Sequence, residues 1–505
     1  MVMIENIKRH LKENKYIYSI ALVFSVFVFL LGPINNLIMD SAYYADIARN
    51  LLNNHTVMHN FEIRDSVAYG FPLILSAFMY LFKMEYLLFY LAVTSFFLVL
   101  LNYFFVKKIT NSKKISLVST LILIFTSEIL FNLRLVMNDI LFVILTLLSF
   151  IIYFTYLDER KRKIKFVLSG LLGLVIYYSF TVRPSIIFVL IAILIYGALN
   201  DFKNKRNILF YAIIILIPIV LIFGNVIFQS VGDVDGDYSG KKYVDSLSDY
   251  KMEGHISLNI ERLKDGEVLE STVNLDEIVP PQIINIIRMF LILFLYVGPF
   301  LLLGISYSIY NELINHKIRE TIKKHEFLIY LWAGGYILFH LAWPNALAVR
   351  YMLPLLPIFT LFFAKTVVEN WKQHKKIITL LVILQLMFSG FLICHESQTR
   401  WERYNTSVLK DGGEWIKDNS NSADIIYLFN DEITSSIIYY SARKVVFSKE
   451  YDTQDLQKND PRYVLSSDIG EKEDAFKNIS DKEGYTLCKR FEDVKYYLGI
   501  YSKDC

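Results

Sequence analysis

The chain has 505 residues, of which 54% are hydrophobic and 15% aromatic, and its mean hydropathy is +0.39. These values exceed those of a typical soluble globular protein, so the composition predicts a polytopic α-helical membrane protein surrounded by membrane lipids. The formal net charge is only +3, which excludes the strongly basic field expected of a nucleic-acid-binding protein.

Apolar runs suited to membrane helices recur along the chain. The first follows the basic stretch MVMIENIKRHLKENK and has no small-residue cleavage site after it, so we predict a retained helix rather than a signal peptide. A shorter segment, 69–82 (YGFPLILSAFMYLF), contains Pro72 and favours an interfacial or re-entrant piece. The predicted spans, about eleven in all, cover 16–37, 86–106, 115–131, 140–157, 165–182, 185–199, 208–230, 286–310, 326–343, 351–368 and 376–394.

Basic residues between the runs decide the predicted orientation, because loops rich in Lys and Arg remain cytoplasmic. If 69–82 does not span, the basic N-terminus and every strongly basic connection fall on the same side. We therefore predict a multi-pass protein of the cell (plasma) membrane with a cytoplasmic N-terminus. The basic connections contain Lys107, Lys108, Lys113 and Lys114; Arg160, Lys161, Arg162, Lys163 and Lys165; Lys203, Lys205 and Arg206; Lys317, Arg319, Lys323 and Lys324; and Lys372, Lys375 and Lys376.

The remaining connections and the C-terminal part of the chain then face outward. Loop 231–285 is long and carries the acidic stretch GDVDGDYSG, so we predict a functional lid rather than a simple connection. Later, strand-length runs (ADIIYLF, RKVVF) stand beside helix-like GGEWIKDN and DEITSSIIYYSARK. We predict a transmembrane domain over 1–395, whose first outer loop, 38–85, carries surface and re-entrant helices, and a small extracytoplasmic α/β domain over 396–505.

A carboxylate, Asp40, stands where the first apolar run gives way to a short helical pattern. Asp is a favoured N-cap, because its side-chain oxygen accepts hydrogen bonds from unpaired N–H groups of the first turn. A capping role alone would therefore explain it. The pattern predicts a short amphipathic helix on the membrane surface, with Tyr44, Ile47, Ala48, Leu51 and Leu52 on its apolar side and Asp46, Arg49, Asn50 and Asn53 on its polar side.

Two carboxylates and three guanidiniums share the predicted outer helix ends: Asp40 and Asp139, with Arg134, Arg183 and Arg350. Such charges at membrane depth are costly unless they pair or hold a ligand. An arginine cluster suits phosphate, because the planar guanidinium binds its oxygens bidentately and stays charged. A carboxylate nearby suits deprotonation of an incoming hydroxyl or amine. The combination fits a phosphate-linked lipid donor at the outer leaflet.

Several segments resemble motifs of the family C (GT-C fold) glycosyltransferases. DSAYYADIARNLL is similar to the first-loop motif of the dolichyl-phosphate-mannose protein mannosyltransferase-like group and of the bacterial aminoarabinose transferases. LRLVMNDILFVILTLLSF resembles their second acidic motif. Further similarity lies in TVRPSIIFVL, in RYMLPLLPIFTLFFA and in the soluble tail, EWIKDN followed by DEITSSIIYYSARKVV.

The resemblance implies roles for individual residues. Asp40 corresponds to the catalytic base, Asp139 to the second active-site acid, and Arg350 to a basic residue near the donor phosphate, where Arg183 and Arg134 are predicted to join it. The implied activity is transfer of a sugar from a polyprenyl-phosphate donor to an extracytoplasmic lipid, glycan or protein acceptor.

Two departures from the family pattern bear on the substrate. Protein mannosyltransferases carry Glu after the first Asp, whereas this chain has Ser41, which disfavours O-mannosylation of proteins. Aminoarabinose transferases have a charged residue ahead of the re-entrant proline, where this chain reads AYGFPLIL. Either Glu62, Arg64 or Asp65 replaces that charge, or nothing does. The candidate substrate-binding residues are Tyr43, Tyr44, Glu62, Arg64, Asp65 and Tyr351.

Metal dependence and one disulfide stay open at this stage. His55 and His59 have a spacing that holds a metal ion on a helix, but the surrounding stretch is typical of a loop. Some family C enzymes use a divalent cation and others do not, so no cofactor is assigned. Whether Cys488 and Cys505 pair is likewise undetermined by the sequence.

The alternative function is a polytopic transporter or lipid flippase. Transporters place ionisable groups near the bilayer midplane, often in broken helices, whereas the candidates here crowd one predicted boundary. A non-catalytic scaffold would leave the carboxylates without a role. The sequence therefore favours the enzyme, without naming its sugar, its acceptor or its oligomeric state.

Overall fold

The structure is a computed structural model and is mainly helical. It describes residues 2–33, 40–55, 58–60, 62–63, 69–83, 86–201, 205–232, 257–264, 267–274, 281–294, 298–299, 301–307, 324–342, 349–404, 407–428, 431–447, 461–467, 484–492 and 497–503.

The helices follow the predicted apolar runs, and each of those runs contains helix. Two short 3₁₀ helices, Pro184–Ile186 and Val349–Leu355, interrupt the series. In chain order the α-helices are α1 Val2–Glu13, α2 Lys15–Leu31, α3 Asp40–Asn54, α4 Gly70–Phe82, α5 Tyr86–Thr110, α6 Lys113–Ile124, α7 Ser127–Leu133, α8 Asn138–Asp158, α9 Arg162–Val182, α10 Ile187–Asn200, α11 Lys205–Gly232, α12 Pro281–Ile292, α13 His325–Ala342, α14 Leu356–Tyr404, α15 Val408–Asn419 and α16 Asp431–Ser441.

The strands are short and occur in three groups. β1 (Met58–His59) pairs with β2 (Glu62–Ile63), and β3 (Ser257–Lys264) pairs with β4 (Glu267–Asn274), both antiparallel. The third group is a five-stranded mixed sheet in the order β6-β5-β7-β9-β8. Its strands are β5 Ile425–Leu428, β6 Lys444–Phe447, β7 Tyr463–Ser467, β8 Thr486–Glu492 and β9 Tyr497–Ser502.

Four helical segments are long and apolar enough to cross a membrane, or up to five if the bent pair α6 and α7 is one span. That pair is bent by 65°, and these numbers of spans apply to the part of the chain that the structure describes. The predicted number of about eleven spans therefore stays a prediction. The short helix α4 has 13 residues, which agrees with a segment that does not span.

Helix α14 joins two predicted runs. Its backbone leaves the helical region at His374 (φ −126°, ψ 33°), within the basic connection that the sequence placed between 351–368 and 376–394. The charged stretch around His374 thus marks a kink rather than an open loop.

The chain divides into two compact units. The first comprises Met1–Ala21, Phe97–Leu130 and Asp139–Leu392. Its core centres on α8, where Phe142, Phe150 and Tyr153 are fully buried. Near it α9 packs closely on α11, because a Cβ added to Gly173 would lie 3.0 Å from Cβ of Ile217. Glycine thus allows this pair of helices to approach.

The second unit comprises Leu22–Phe96, Phe131–Asn138 and Ile393–Cys505. Within it α3 packs on α4 and on α16. The five-stranded sheet and helices α15 and α16 share an apolar core that includes Leu428, Ile437, Leu465, Leu498 and Ile500.

The C-terminal elements agree with the sequence pattern. ADIIYLF contains β5, RKVVF contains β6, GGEWIKDN lies in α15 and DEITSSIIYYSARK contains α16. The predicted domain boundary at 395/396 stays a prediction, as does the lid role of 231–285. The described residues of that range are the end of α11, the β3–β4 hairpin and the start of α12. The acidic stretch lies outside the described residues from 233 onward.

Two cysteines in the second unit have definite states. Cys488 is disulfide-bonded and lies at a register shift in strand β8, between Leu487 and Lys489. Cys394 is in no disulfide and is exposed. Cys505, whose pairing the sequence left undetermined, lies outside the described residues.

Candidate active site

An ion pair between Asp139 and Arg183 forms the centre of the site in the first unit. Asp139 lies in the first turn of α8, where the helix dipole favours a carboxylate. Arg183 has extended backbone (φ −158°, ψ 118°), as expected before Pro184. Its Nη1 donates to Oδ1 of Asp139 at 2.5 Å. The sequence predicted only that Asp139 and Arg183 lie close together, and in the structure they form a direct ion pair.

Both partners of this ion pair are largely buried. The side chain of Asp139 is 1% exposed and that of Arg183 is 15% exposed. Burial by itself lowers the pKa of the Arg183 guanidinium, but the neighbouring Asp139 carboxylate and the Tyr336 and Tyr351 side chains together raise that pKa above its ordinary value. Arg183 is thus a permanent cation beside a buried carboxylate.

Tyr351 connects Arg183 to Arg350. The guanidinium carbon of Arg183 lies 4.9 Å from the centre of the Tyr351 ring, and that of Arg350 lies 5.7 Å from it. Cations over an aromatic face are attracted by its quadrupole. The hydroxyl of Tyr336 donates to the backbone oxygen of Tyr351 at 2.9 Å. The structure thereby brings together Asp139, Arg183, Arg350 and Tyr351, as the sequence proposed.

His340 belongs to the same cluster, and the sequence analysis missed it. Its ring stacks on Tyr351, with ring centres 5.5 Å apart and planes at 12°, and it meets Tyr336 edge-on at 4.5 Å. The residue is 8% exposed. His340 lies inside the apolar run 326–343, where a single histidine gives no periodic signal.

Two buried polar atoms of this cluster have no hydrogen-bond partner among the described residues: Oδ2 of Asp139 and Nε2 of His340. Buried polar atoms are normally satisfied, and each exception needs a reason. A ligand that supplies the missing partners is such a reason. The first unit therefore offers a cationic and aromatic cluster with an acceptor oxygen that is not engaged.

Asp40 lies in the second unit and is the first residue of α3. The predicted helix is confirmed, but Asp40 lies in its first turn rather than at the preceding N-cap position. The Asp40 side chain is exposed to solvent. A carboxylate in the first turn is favoured by the helix dipole. Its exposure suits a group that exchanges a proton with a substrate.

The two tyrosines that follow Asp40 pack against neighbouring elements. Tyr43 meets the His59 ring edge-on at 4.4 Å, and Tyr44 meets Phe71 of α4 edge-on at 5.0 Å. Asn138 donates to the Tyr44 hydroxyl at 3.3 Å. These contacts fix α3, and binding of substrate by either tyrosine stays a prediction.

The environment of Asp46 differs from the sequence prediction. The periodicity placed it on the polar side of α3, but the structure buries it at 1% exposure. It accepts hydrogen bonds from Arg49 and from Asn50, and Nδ1 of His59 lies 3.0 Å from its Oδ2. His59 comes from the β1–β2 hairpin, so the periodicity of α3 alone cannot predict that it packs against Asp46.

Arg134 makes contacts that suit a structural role. Its Nε donates to the Gly32 oxygen at 3.1 Å and its Nη2 to the Leu31 oxygen at 3.4 Å, at the end of α2. A cation there satisfies the last carbonyl groups of a helix. A contact of Arg134 with phosphate stays a prediction, and these bonds do not support it.

The remaining candidates lie at the edge of what the structure describes. Glu62 belongs to strand β2, and Arg64 and Asp65 lie outside the described residues. Nδ1 of His59 lies 3.0 Å from Oδ2 of Asp46, and a metal role for His55 and His59 stays a prediction. Among the described residues no group of three His, Cys, Asp or Glu side chains is arranged to hold a metal ion.

Comparison with known protein families and solved structures identifies the fold of the chain. A family model described as dolichyl-phosphate-mannose-protein mannosyltransferase matches residues 73–225. The crystal structure of ArnT from Cupriavidus metallidurans bound to undecaprenyl phosphate is similar with a TM-score of 0.67, at 9% identity, over 97% of this chain and 98% of that chain. The chain has the family C glycosyltransferase fold.

A second group of structures with the family C fold supports the same conclusion. The Archaeoglobus fulgidus oligosaccharyltransferase in complex with Zn and sulfate has a TM-score of 0.59, at 13% identity, over 96% of this chain and 73% of that chain. The same enzyme tethered to an acceptor peptide containing the NVT sequon has a TM-score of 0.59, at 11% identity, over 97% of this chain and 74% of that chain. No curated protein sequence matches the chain significantly. The fold resemblance that the motifs predicted is confirmed.

Proposed function

We propose that the protein is a membrane glycosyltransferase that moves a sugar from a polyprenyl-phosphate donor to an acceptor outside the cytoplasm. The observation that carries the proposal is the Arg183–Asp139 pair, buried beside Arg350 and Tyr351, with one carboxylate oxygen of Asp139 not engaged. The solved ArnT structure of the same fold is bound to undecaprenyl phosphate, which supports a polyprenyl-phosphate donor here.

The charge of the first-unit cluster suits such a donor. The cluster contains two guanidiniums, those of Arg183 and Arg350, on either side of Tyr351. A sugar linked to a lipid through a phosphodiester carries one negative charge, which such cations attract. Guanidinium groups bind phosphate oxygens bidentately at fixed charge. The leaving lipid phosphate gains negative charge, and the same cations stabilise it.

Asp40 supplies the base in this proposal. A carboxylate oxygen takes the proton from the acceptor hydroxyl or amine, and the acceptor atom forms a bond with the anomeric carbon of the sugar. The bond between that carbon and the phosphate oxygen breaks, and its electron pair leaves with the polyprenyl phosphate. General-base catalysis of this kind contributes about 100- to 10,000-fold in rate.

The proposed orientation places the reaction on the extracytoplasmic side. The positive-inside pattern of the basic connections supports it. The disulfide-bonded state of Cys488 agrees with it, because disulfides persist mainly in oxidising compartments.

Release of the lipid product tests the proposed activity. Purified protein is incubated with undecaprenyl-phosphate sugars and a cell-envelope extract, and undecaprenyl phosphate is quantified by mass spectrometry. Acceptor-dependent release, with a matching mass increase on one envelope component, is the expected result and identifies both sugar and acceptor. If cells with and without the gene have identical envelope lipids, glycans and surface proteins, and no sugar donor is consumed, the proposal is wrong.

A further inference from the structure

The first outer loop is joined to the C-terminal sheet by a network that the reaction chemistry does not use. Asn60, at the turn between β1 and β2, donates from Nδ2 to the Val445 oxygen at 2.7 Å and accepts from the Val445 nitrogen at 2.8 Å. Strand β6 is an edge strand, and edge strands present unpaired backbone groups. The Asn60 amide therefore takes the place of a neighbouring strand.

The backbone of Asn60 is suited to this task. Its φ is +53°, a left-handed conformation that Asn tolerates better than most residues. The turn thereby directs the side-chain amide toward β6 while β1 and β2 stay paired. A β-branched or bulky apolar residue at this position would lose both hydrogen bonds and strain the turn.

Arg49 makes a second connection from α3 itself. Its Nη1 donates to the Tyr439 oxygen at 2.7 Å, and its guanidinium lies 5.1 Å from the Tyr439 ring centre. Tyr439 is in the last turn of α16, where a cation is favoured by the helix dipole. The Tyr439 hydroxyl also lies 3.1 Å from that of Tyr86.

Asp46 links the two connections. Its carboxylate pairs with Arg49 and with His59, and it accepts from the backbone nitrogen of Asn60 at 3.4 Å. One buried carboxylate therefore orients both residues that contact the C-terminal elements. A buried charge of this kind is costly unless it is fully paired, and here the pairing extends over α3 and the hairpin.

We propose that Asp46, through Arg49 and Asn60, is a positioning residue by which the C-terminal α/β elements hold the helix that begins at Asp40. The consequence for turnover rests on the proposed glycosyl transfer. The C-terminal elements then affect transfer by fixing the orientation of α3, not by contacting the reacting atoms. Displacement of a catalytic group by about 1 Å costs on the order of 100-fold in rate.

Hydrogen exchange and kinetics on the full-length protein in detergent test this proposal. Asn60→Asp keeps the size and the acceptor oxygen but loses the donor to Val445, and Asp46→Asn removes the charge. We expect faster amide exchange in α3 and the β1–β2 hairpin for both variants. We also expect kcat to fall by about 10- to 100-fold with little change in the KM for the donor.

Matched controls and a double variant separate positioning from general damage. Asn111→Asp, at an exposed position with the same left-handed backbone (φ +52°), and Asp418→Asn, also exposed, make the same changes away from the network and should leave exchange in α3 and kcat unchanged. Because Asp46 and Asn60 act through one network, their effects on kcat should be less than additive in the double variant. If Asp46→Asn does not fold, Asn60→Asp carries the test alone.

The outcomes distinguish this proposal from the proposed function. Unchanged exchange in α3 for Asn60→Asp overturns the positioning role, whatever reaction the protein performs. Faster exchange with parental kcat also overturns it, because the contacts would then hold the fold without serving transfer. Absence of transfer by the parent protein contradicts the proposed function, while the exchange measurement still decides whether the network holds α3.

Discussion

Arg183 donates to Oδ1 of Asp139 at 2.5 Å, and Oδ2 of the same carboxylate is buried with no partner among the described residues. The ion pair with Arg183 fixes the orientation of the Asp139 carboxylate. Its second oxygen is therefore presented to a ligand without a cost of reorganisation, which is the condition for strong electrostatic stabilisation in an active site.

Removal of Arg183 should be more harmful to stability than removal of the Asp139 charge. Arg183→Ala leaves a carboxylate that is 1% exposed without its cation, and breaking a buried pair in this way costs about 3–5 kcal/mol. Asp139→Asn retains a hydrogen-bond acceptor and should cost less. Thermal unfolding in detergent measures both, with Arg490→Ala at an exposed position as the control. Equal stability of Arg183→Ala and the parent would contradict a buried pair.

Arg350 should matter for donor affinity rather than for folding. Its guanidinium lies over the Tyr351 ring at 5.7 Å, and in the proposal it binds the donor phosphate. Arg350→Ala should weaken donor binding strongly, and Arg350→Lys should restore only part, because Lys lacks the bidentate guanidinium. Binding of undecaprenyl phosphate to purified protein measures the difference. Parental affinity in Arg350→Ala would show that this residue serves only the fold.

His340 offers a test in which stability and activity should change in opposite directions. His340→Phe keeps a ring that stacks on Tyr351 but removes Nε2, a buried atom with no hydrogen-bond partner among the described residues. Loss of a buried unsatisfied group stabilises a fold by about 1–3 kcal/mol. If Nε2 serves the ligand, the same variant should bind donor more weakly. A variant that is more stable and equally active would assign His340 to packing alone.

The predicted orientation is tested by thiol labelling in sealed cells. The background is Cys394→Ser, because Cys394 is an exposed thiol that is in no disulfide and would otherwise react. Cysteines placed at Lys113 and Arg162 should be shielded from an impermeant reagent, whereas one at Asp276 should label. Labelling at Lys113 would mean that 69–82 spans the membrane, and the proposed extracytoplasmic site would be lost with it.

The sequence predicted most helices and strands from local patterns, and it predicted that Asp139, Arg183 and Arg350 lie at neighbouring helix ends, while their roles stay predictions. The helix from Asp40, the short helix α4 and the Asp139–Arg183–Arg350 cluster follow from periodicity, length and the convergence of charges at helix ends. Asp46 was assigned to the wrong side of α3, because its partners His59 and Asn60 come from a hairpin whose fold back onto α3 has no periodic signature.

Two further residues show the same limit. The contacts of Arg134 with the Gly32 and Leu31 carbonyls could not be predicted, because they depend on where α2 ends in three dimensions; its predicted contact with phosphate stays a prediction. His340 was indistinguishable from its apolar neighbours until its ring was seen on Tyr351. Burial and long-range pairing, rather than composition, decide the roles of such residues.

Asp40→Asn tests the central claim most directly, because the two roles of Asp40 make different demands on the side chain. An Asn can satisfy a helix N-terminus about as well as Asp, but an amide cannot take the proton of the acceptor. The measurement is sugar transfer per folded molecule, in detergent, from a defined polyprenyl-phosphate sugar. We expect parental expression and thermal stability, with transfer reduced by about 100- to 10,000-fold. Near-parental turnover of Asp40→Asn would contradict the account and leave Asp40 as a residue that only begins a helix.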